Sequence, residues 1–273
     1  MLALIDADVI TYRVGFAAQH TWYLVWRKGD EAEFGFVARF RYKKDAMQFM
    51  GDGDEFYLTT ITDIEPIEFC LHSVKAQLQS ILSEVEATGY KLFLTGDIQL
   101  RDDLAKTKPY KGNRDPLHKP HYYADIKKYL REHWNAVTVD VLEADDAMAI
   151  EQVRNQNAII CTIDKDLDQI PGWHYNFVKK EKYYVTNEEA KKWFYIQVLA
   201  GDSTDNIQGI RGIGPAKAAK LLDKCTTDQE YYEVCLKNYE EAYKEKGKEV
   251  LIEMANLVYI RTSAEQLFWV PPK

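Results

Sequence analysis

Five short acidic segments, spread along the whole chain, constrain how this sequence can fold more than any other feature. They hold Asp6 and Asp8 (LIDAD), Asp97 (LTGD), Glu143, Asp145 and Asp146 (LEADDAM), Asp164 and Asp166 (TIDKDLD), and Asp202 and Asp205 (GDSTDN). Most segments follow an apolar run that is typical of a buried strand. Because the carboxyl ends of parallel strands share one edge of an open α/β sheet, the pattern predicts an α/β fold with one acidic pocket at that edge.

Gathering so many carboxylates is unfavourable unless something binds between them. Two like charges about 4 Å apart repel by about 4 kcal/mol at an effective dielectric constant of 20. Each acid taken alone is explained as well by a helix N-cap or by the helix dipole. Five segments together favour a pocket for a hard divalent cation, and Mg2+ fits because no His or Cys lies in them. The sequence therefore predicts a metal-dependent enzyme.

The charge distribution is uneven along the 273 residues. The net charge of −8 argues at first against a nucleic-acid partner. Residues 101–131, however, hold nine Lys and Arg against four acids. Within this stretch, PYKGNRDP offers Tyr110 to stack on an unpaired base and Lys111 and Arg114 to bind a phosphate. A solvated basic loop explains this segment equally well, but a basic stretch beside an acidic pocket suits a polyanionic substrate.

The order of the predicted elements divides the chain into two parts. Strands alternate with helices up to residue 186, apart from an aromatic, β-branched stretch over about 17–68 that predicts a β-rich insertion. A long helix is predicted from Pro66 to Gly89, and another over 121–134. From residue 187 to residue 273 the pattern is almost wholly helical. We therefore expect a core over 1–186 and a helical lobe over 187–273.

The lobe contains a glycine-rich segment, IQGIRGIGPAKAAKLL, over residues 207–222. Its glycines, Gly209, Gly212 and Gly214, permit a tight hairpin between two helices, and Pro215 suits the first position of the second helix. Exposed amides there, with Lys217 and Lys220, would bind a phosphate of duplex DNA. An ordinary helical hairpin is the alternative. No strand is predicted immediately before the glycines, which argues against a dinucleotide-binding fold.

Taken together, the motifs YKGNRD, EADD, TxDxD and GDxxDNIxGxxGIGxxxA resemble those of the 5′-nuclease superfamily, which includes flap endonucleases, phage 5′–3′ exonucleases and the 5′-nuclease domain of bacterial DNA polymerase I. The resemblance covers nearly all of the chain outside 17–68. It implies a PIN-like, mostly parallel sheet flanked by helices, a basic arch over about 101–134 with Lys111 and Arg114 at its base, and a helix–hairpin–helix at 207–222 that can hold K+.

The resemblance also implies two Mg2+ ions, for which Mn2+ would substitute. Asp6, Asp97, Glu143 and Asp145 would surround the first ion; Asp164, Asp166, Asp202 and Asp205 would surround the second, with Asp146 close by. The implied activity is two-metal hydrolysis of DNA, or of an RNA primer, at a 5′ end or flap during replication or repair. Ala7 departs from the family, which usually has Gly after the first Asp.

The remaining expectations concern the setting of the protein. The sequence shows no 18-residue apolar run and no basic N-terminal region, so neither a membrane span nor a signal peptide is expected. A monomer in the cytoplasm is expected, the host cytoplasm for a phage-type stand-alone enzyme, which would act with a polymerase in trans. The alternatives are a PIN-like ribonuclease, which has no use for the 207–222 hairpin, and an inactive relative that binds DNA junctions.

Overall fold

The computed structural model describes residues 1–29, 35–113 and 119–272, and its described part is built on a six-stranded sheet. The strands are β1 (Leu2–Asp6), β5 (Gly89–Gln99), β6 (Val137–Val141), β7 (Ala158–Cys161), β8 (Gly172–Asn176) and β9 (Glu181–Val185). Their order is β6-β5-β1-β7-β8-β9. All neighbouring strands are parallel except β8 and β9, which form an antiparallel edge pair. The predicted mostly parallel α/β sheet is confirmed.

Helices cover both faces of this sheet. One face packs against α1 (Ala7–Ala17), α3 (Ile67–Glu84) and α5 (Tyr123–Trp134), and the other against α6 (Ala144–Arg154). Successive residues of the central strand alternate between them: Ile5 lies in the first hydrophobic cluster and Leu4 in the second. Burial on both faces explains why β1 is almost continuously apolar. A short helix, α4 (Leu100–Leu104), follows β5.

The insertion forms a second, three-stranded antiparallel sheet of order β3-β2-β4. Its strands are β2 (Gln19–Arg27), β3 (Ala38–Phe40) and β4 (Phe56–Ile64), so the β-rich prediction agrees with the structure. A helix that the sequence pattern did not predict, α2 (Lys43–Met50), lies between β3 and β4. This helix forms because Phe49 packs on Phe40 and Phe56, with ring centroids 5.4 and 6.0 Å apart, and thereby covers one face of the small sheet.

The C-terminal part is mainly helical. Its helices are α7 (Asn187–Ala200), α8 (Pro215–Leu221), α9 (Asp228–Tyr243) and α10 (Gly247–Val258). They enclose a separate hydrophobic cluster around Tyr195, Leu199, Tyr239 and Leu251, against which Trp269 of the tail packs. Capping boxes at Thr186 and Thr227 fix the starts of α7 and α9. The division into domains at residue 186 stays a prediction.

Three predicted element boundaries require correction. The helix after Pro66 ends at Glu84 rather than at Gly89, because β5 begins at Gly89 and pairs with β1 from there. The helix predicted from residue 121 begins at Tyr123. Residues 207–208 form a short strand, β11 (Ile207–Gln208), that pairs with β10 (Gly201–Asp202). The glycine turn is therefore preceded by this two-stranded ladder and not directly by a helix.

Among the helices that the structure describes, none is both long enough and apolar enough to cross a bilayer.

Candidate functional site

A cleft of about 1270 Å³ opens at the edge where β1, β5 and β7 end. All the acids predicted to bind metal, apart from Asp146, line it: Asp6, Asp97, Glu143, Asp145, Asp164, Asp166, Asp202 and Asp205. These residues come from strand ends and loops that are distant in sequence. The parallel sheet brings them together, as the strand-end argument predicts.

Asp6 lines the cleft and is buried. It caps α1, since its Oδ1 accepts a hydrogen bond from the backbone N of Val9 at 3.0 Å, and its Oδ2 accepts one from Thr162 Oγ1 at 2.8 Å. Burial raises the pKa of Asp6 to about 7, and the charge of Asp8 contributes to the rise. The carboxyl group is therefore costly to ionise without a cation nearby.

Glu143 and Asp145, at the start of α6, have opposite electrostatic surroundings. Burial alone would raise the pKa of Glu143, but Arg101 and Lys111 outweigh it and lower that pKa. Arg101 Nη1 lies 2.6 Å from Glu143 Oε2, and Lys111 Nζ bonds to Oε1. Asp145 has its pKa raised well above the usual value by burial and by the charges of Asp6 and Asp164. Glu143 is thus held as an anion by protein cations, whereas Asp145 is not.

A second acidic group lies across the cleft. One carboxylate oxygen each of Asp166, Asp202 and Asp205 lie within 4.8 Å of one another. Gln197 Nε2 donates to Asp166 Oδ1 at 2.7 Å, and the backbone N of Thr204 donates to Asp202 Oδ1 at 2.7 Å, which fixes both side chains. Burial, followed by the charges of Asp164 and Asp202, raises the pKa of Asp166 to about 8.

The chemistry of these donors fits a hard divalent cation. Oxygen ligands about 2.0–2.6 Å from one ion lie at most about 4–5 Å from each other, which is the spacing seen among Asp166, Asp202 and Asp205. The lining acids offer carboxylate oxygens, and the raised pKa values of Asp6 and Asp166 show that burial disfavours their charged forms unless a cation binds nearby. The cleft therefore meets the requirements of a carboxylate-bound metal centre.

Asp146 does not belong to this centre, contrary to the prediction. It is 0% exposed, and its carboxylate accepts hydrogen bonds from Arg101 Nη1 and Nη2 at 3.0 and 3.1 Å and from the backbone N of Arg261 at 2.9 Å. Adjacent residues on a helix point about 100° apart, so Asp145 and Asp146 cannot both face the cleft. Asp146 anchors the C-terminal segment instead.

Tyr110 also differs from its predicted role. Its side chain is 7% exposed, so the ring offers no platform on which an unpaired base could stack. The hydroxyl donates to Glu143 Oε2 at 3.0 Å and lies 2.8 Å from Asp205 Oδ2. Tyr110 thus connects one carboxylate of each acidic group.

Lys111 lines the cleft together with the acids. Its Nζ contacts Glu143 and lies 3.8 Å from Asp205 Oδ2, while its backbone N donates to the carbonyl of Asp205 at 2.9 Å. Asn113 Nδ2 also bonds to the carbonyl of Ser203 at 2.8 Å. These contacts attach the base of the basic segment to the loop of the second acidic group. Arg114 lies outside the described residues.

The glycines of segment 207–222 serve different purposes. A Cβ on Gly209 would lie 2.2 Å from the carbonyl carbon of Ala200, so Gly209 is required for close packing of two backbones. Gly212 has a φ of +82° in an exposed turn, and Gly214 is the N-cap of α8. Lys217 Nζ donates to the carbonyl of Gly212 at 3.3 Å, and Lys220 is exposed. The turn and both lysines therefore face solvent, whereas Gly209 does not.

Arg101, which the sequence marks only as one of the nine cations of residues 101–131, has a role that the sequence did not predict. The side chain is buried, and besides Glu143 and Asp146 it bonds to the carbonyls of Leu257 and Tyr259. No local signal marks this position, because its partners lie as far as 158 residues away.

Asp8, which had no predicted role, accepts a hydrogen bond from the backbone N of Thr95 at 2.7 Å and lies 3.8 Å from Lys127 Nζ. It fixes the first turn of α1 to the end of β5.

Comparison with curated proteins shows similarity to nucleases. A segment is 38% identical over 136 residues to the flap endonuclease Xni of Shewanella pealeana, covering 41% of this chain and 50% of that protein. Another segment is 29% identical over 131 residues to the exonuclease of Escherichia phage T7, covering 45% and 43%. The matched regions thus span half or less of these relatives. No family model matches the chain.

Solved structures with the same fold come from bacteriophage T5. A variant of the T5 5′-exonuclease aligns with a TM-score of 0.58 at 14% identity, covering 96% of this chain and 88% of that chain. A T5 flap endonuclease complex with DNA and metal ions aligns with a TM-score of 0.52 at 13% identity, covering 94% and 98%. Because the sequence identity is so low, these matches show a shared fold and nothing further.

Proposed function

We propose that this chain, whose motifs and fold resemble those of the 5′-nuclease superfamily, is a structure-selective 5′–3′ exonuclease and 5′-flap endonuclease that hydrolyses DNA phosphodiesters in replication or repair. The observation that carries the proposal is the single cleft in which the acids from five distant segments meet Lys111 of the basic segment. A polyanionic substrate needs positive charge to approach such a site, and both bound metal ions and Lys111 would supply it.

Two groups of acids would hold two Mg2+ ions, with Mn2+ as a substitute. Asp6, Asp97, Glu143 and Asp145 would bind one; Asp164, Asp166, Asp202 and Asp205 would bind the other. Bound metal supplies a water of lowered pKa and stabilises the leaving 3′ oxygen. The products would be a 5′ phosphate and a 3′ hydroxyl.

The protein's own groups would orient the scissile phosphate. Lys111, whose Nζ lies between Glu143 and Asp205, and Arg114 would neutralise charge that develops on the phosphate oxygens. Arg101 and Tyr110 both donate to Glu143 Oε2, while Lys111 donates to Oε1, so both carboxylate oxygens are fixed. The site would therefore be ordered before substrate arrives, which lowers the barrier through positioning.

Segment 207–222 would hold the duplex. The exposed turn at Gly212 and Gly214 presents backbone amides, and Lys217 and Lys220 lie on the helix that follows. Contacts of this kind position DNA without reading its sequence. A K+ ion could bind there between the turn and a phosphate.

We further propose that the lobe 187–273 acts as a duplex-binding domain beside a nuclease core over 1–186. The protein would be a monomer that works with a polymerase in trans in the cytoplasm.

The direct test is a product-length assay on end-labelled 5′-flap, nicked and blunt DNA duplexes and on single-stranded RNA, each with Mg2+ or with EDTA. We expect Mg2+-dependent release of mononucleotides or whole flaps from the DNA substrates. Cleavage of the RNA alone would identify a PIN-like ribonuclease instead. Binding of the junctions without cleavage in any condition would refute the proposed activity.

A further inference from the structure

The β-rich insertion has one face that α2 leaves open. Successive residues of a strand point to opposite faces. Tyr23 pairs with Phe40, on the side that Phe49 of α2 covers, so Trp22 lies on the other side. There the guanidinium of Arg39 lies 3.9 Å from the centroid of the Trp22 ring, and that of Arg41 lies 5.5 Å from it. Arg39 also forms an ion pair with Asp63 at 2.5 Å, so Arg41 supplies the excess positive charge beside the indole ring.

This surface continues into an exposed basic and aromatic segment. Arg39, Arg41, Lys43 and Lys44 lie within six residues that contain no acid. Tyr42, between them, is 62% exposed, and Lys44 Nζ lies 5.8 Å from its ring centroid. Alternating cations and aromatic rings are suited to single-stranded nucleic acid, whose phosphates and unpaired bases need both kinds of contact.

The insertion is electrically polarised along its length. Asp52, Asp54 and Glu55 lie at the end where Arg27 pairs with Phe56. Residues 39–44 lie toward the opposite end, because Arg41 contacts the carbonyl of Thr21 at 3.4 Å and His20 at 3.2 Å. At that end Asp63 is paired with Arg39, and the remaining cations Arg41, Lys43 and Lys44 outnumber Asp45 and Glu65, whereas at the far end the three acids outnumber Arg27 and Lys28. An anionic strand would therefore be favoured at the end next to the core.

The basic end of the insertion also adjoins the cleft. Residues of α1 line the cleft as far as Phe16, and Lys119 and Tyr123 line it as well. Gln19 then accepts a hydrogen bond from the backbone N of His121 at 2.7 Å, which joins the insertion to the end of the basic segment. The 11 residues of α1 span about 16 Å, a distance that a few nucleotides of single-stranded DNA can bridge.

We propose that Trp22 and residues 39–44, which we name the insertion root, bind the single-stranded 5′ arm of the DNA substrate a few nucleotides beyond the acidic cleft. This inference rests on the proposed function for the identity of the substrate. The insertion would then select substrates by arm length, because the enzyme gains affinity only for those whose arm is long enough to reach the root.

Equilibrium binding of labelled flap DNAs tests the inference. Two junctions with the same duplex and 5′ arms of 2 and 12 nucleotides are titrated in EDTA, so that no hydrolysis occurs, at several salt concentrations. The variant Arg41→Ala/Lys44→Ala is compared with Arg27→Ala/Lys28→Ala, which removes the same charge from the acidic end of the insertion. A second pair, Tyr42→Ala and Tyr42→Phe, separates loss of the ring from loss of the hydroxyl.

The variant Arg41→Ala/Lys44→Ala is expected to bind the 12-nucleotide arm about tenfold more weakly than the wild type. Its affinity for the 2-nucleotide arm should stay within about twofold of the wild-type value. Its salt slope for the long arm should be shallower by about 1.4, the value for two single-strand phosphate contacts. Tyr42→Ala should weaken binding of the 12-nucleotide arm about fivefold and leave binding of the 2-nucleotide arm unchanged, since one stacked base is lost. Tyr42→Phe, which keeps the ring, should bind the 12-nucleotide arm as tightly as the wild type.

Two results would overturn the inference: equal losses on both arms, or equal losses in the Arg27→Ala/Lys28→Ala control. The outcome is separable from that of the proposed function. If the wild-type chain shows the arm-length dependence but cleaves no DNA with Mg2+, the nuclease proposal fails and the insertion root stands.

Discussion

Arg101 and Asp146 form a two-point ion pair inside the protein, with Nη1–Oδ2 and Nη2–Oδ1 distances of 3.0 and 3.1 Å. The same Nη1 lies 2.6 Å from Glu143 Oε2, and Nη2 donates to the carbonyl of Tyr259 at 2.8 Å. One buried guanidinium thus joins a carboxylate of the cleft to the C-terminal segment. A shift of the C-terminal segment at Tyr259 would therefore be felt by Glu143 in the acidic cleft.

Replacing Arg101 should destabilise the protein strongly. Arg101→Met would leave Glu143 and Asp146 buried without their cation, and removing one partner of a buried ion pair costs about 3–5 kcal/mol. Urea denaturation measures the change in the free energy of unfolding. Lys91→Ala, which breaks the more exposed pair with Glu151, is the control and should cost at most about 1 kcal/mol. A similar small loss for both variants would show that the buried network does not stabilise the fold.

Replacing Asp202 should separate catalysis from binding. Asp202→Asn removes one charge from the group in which oxygens of Asp166, Asp202 and Asp205 lie within 4.8 Å. Hydrolysis of flap DNA should fall by about 100-fold or more, because metal binding supplies several kcal/mol of charge stabilisation. DNA affinity should be kept or increased, since negative charge is lost. Asp145→Asn should behave alike.

The control for that series is Asp223→Asn, which changes an exposed aspartate paired with Lys192 outside the cleft. It should leave both turnover and affinity unchanged. Full activity in Asp202→Asn would contradict the assignment of the acidic cleft.

Lys111 should act on turnover more than on affinity. Its Nζ lies between Glu143 and Asp205, where a scissile phosphate would meet the acids. Lys111→Ala should reduce the single-turnover rate by about 100-fold, with less than about a threefold change in the Kd for DNA. Lys237→Ala on α9 provides a charge-matched control. A loss confined to the Kd would place Lys111 away from the reacting phosphate.

Stability without metal should decrease as the pH rises. Asp6 and Asp166 have pKa values raised to about 7 and about 8, first by burial, whereas an aspartate in an unfolded chain titrates near 4. Between about pH 4 and pH 8 the native state therefore binds protons that the unfolded chain has released. It follows that the free energy of unfolding falls with pH in this window.

Divalent metal should reverse that trend, because it binds the deprotonated carboxylates. Thermal denaturation with EDTA and with Mg2+ at pH 5.5 and pH 8 measures both effects. The increase in Tm on adding Mg2+ should be larger at pH 8, and Asp6→Asn should flatten the pH dependence seen in EDTA. An increase in Tm that is larger at pH 5.5 would argue that the raised carboxyl groups are not the metal ligands.

The sequence was sufficient to predict which strands form the core and which acids share an edge, because both follow from short-range patterns. Apolar runs mark β1 and β7, and an acid at the end of a parallel strand must lie at the same edge as its neighbours. The helix α2 was missed because its register depends on Phe49 packing against two strands of the insertion.

The roles of individual side chains were less accessible. Asp145 and Asp146 are indistinguishable as neighbours in sequence, and only the direction of the first turn of α6 sends one to the cleft and the other to Arg101. Tyr110 lies in a basic segment that suggested exposure, yet its ring packs in the hydrophobic cluster of the C-terminal helices and its hydroxyl contacts Glu143 and Asp205. Such outcomes are decided by long-range contacts.

Anomalous diffraction from crystals soaked in Mn2+ would show whether the acidic cleft binds metal. We expect a peak between the carboxylates of Asp166, Asp202 and Asp205 and a second one beside Asp6 and Asp145, both absent in crystals soaked with EDTA. Well-ordered carboxylates with no peak between them, at Mn2+ concentrations that support hydrolysis, would show that these acids do not form a metal centre.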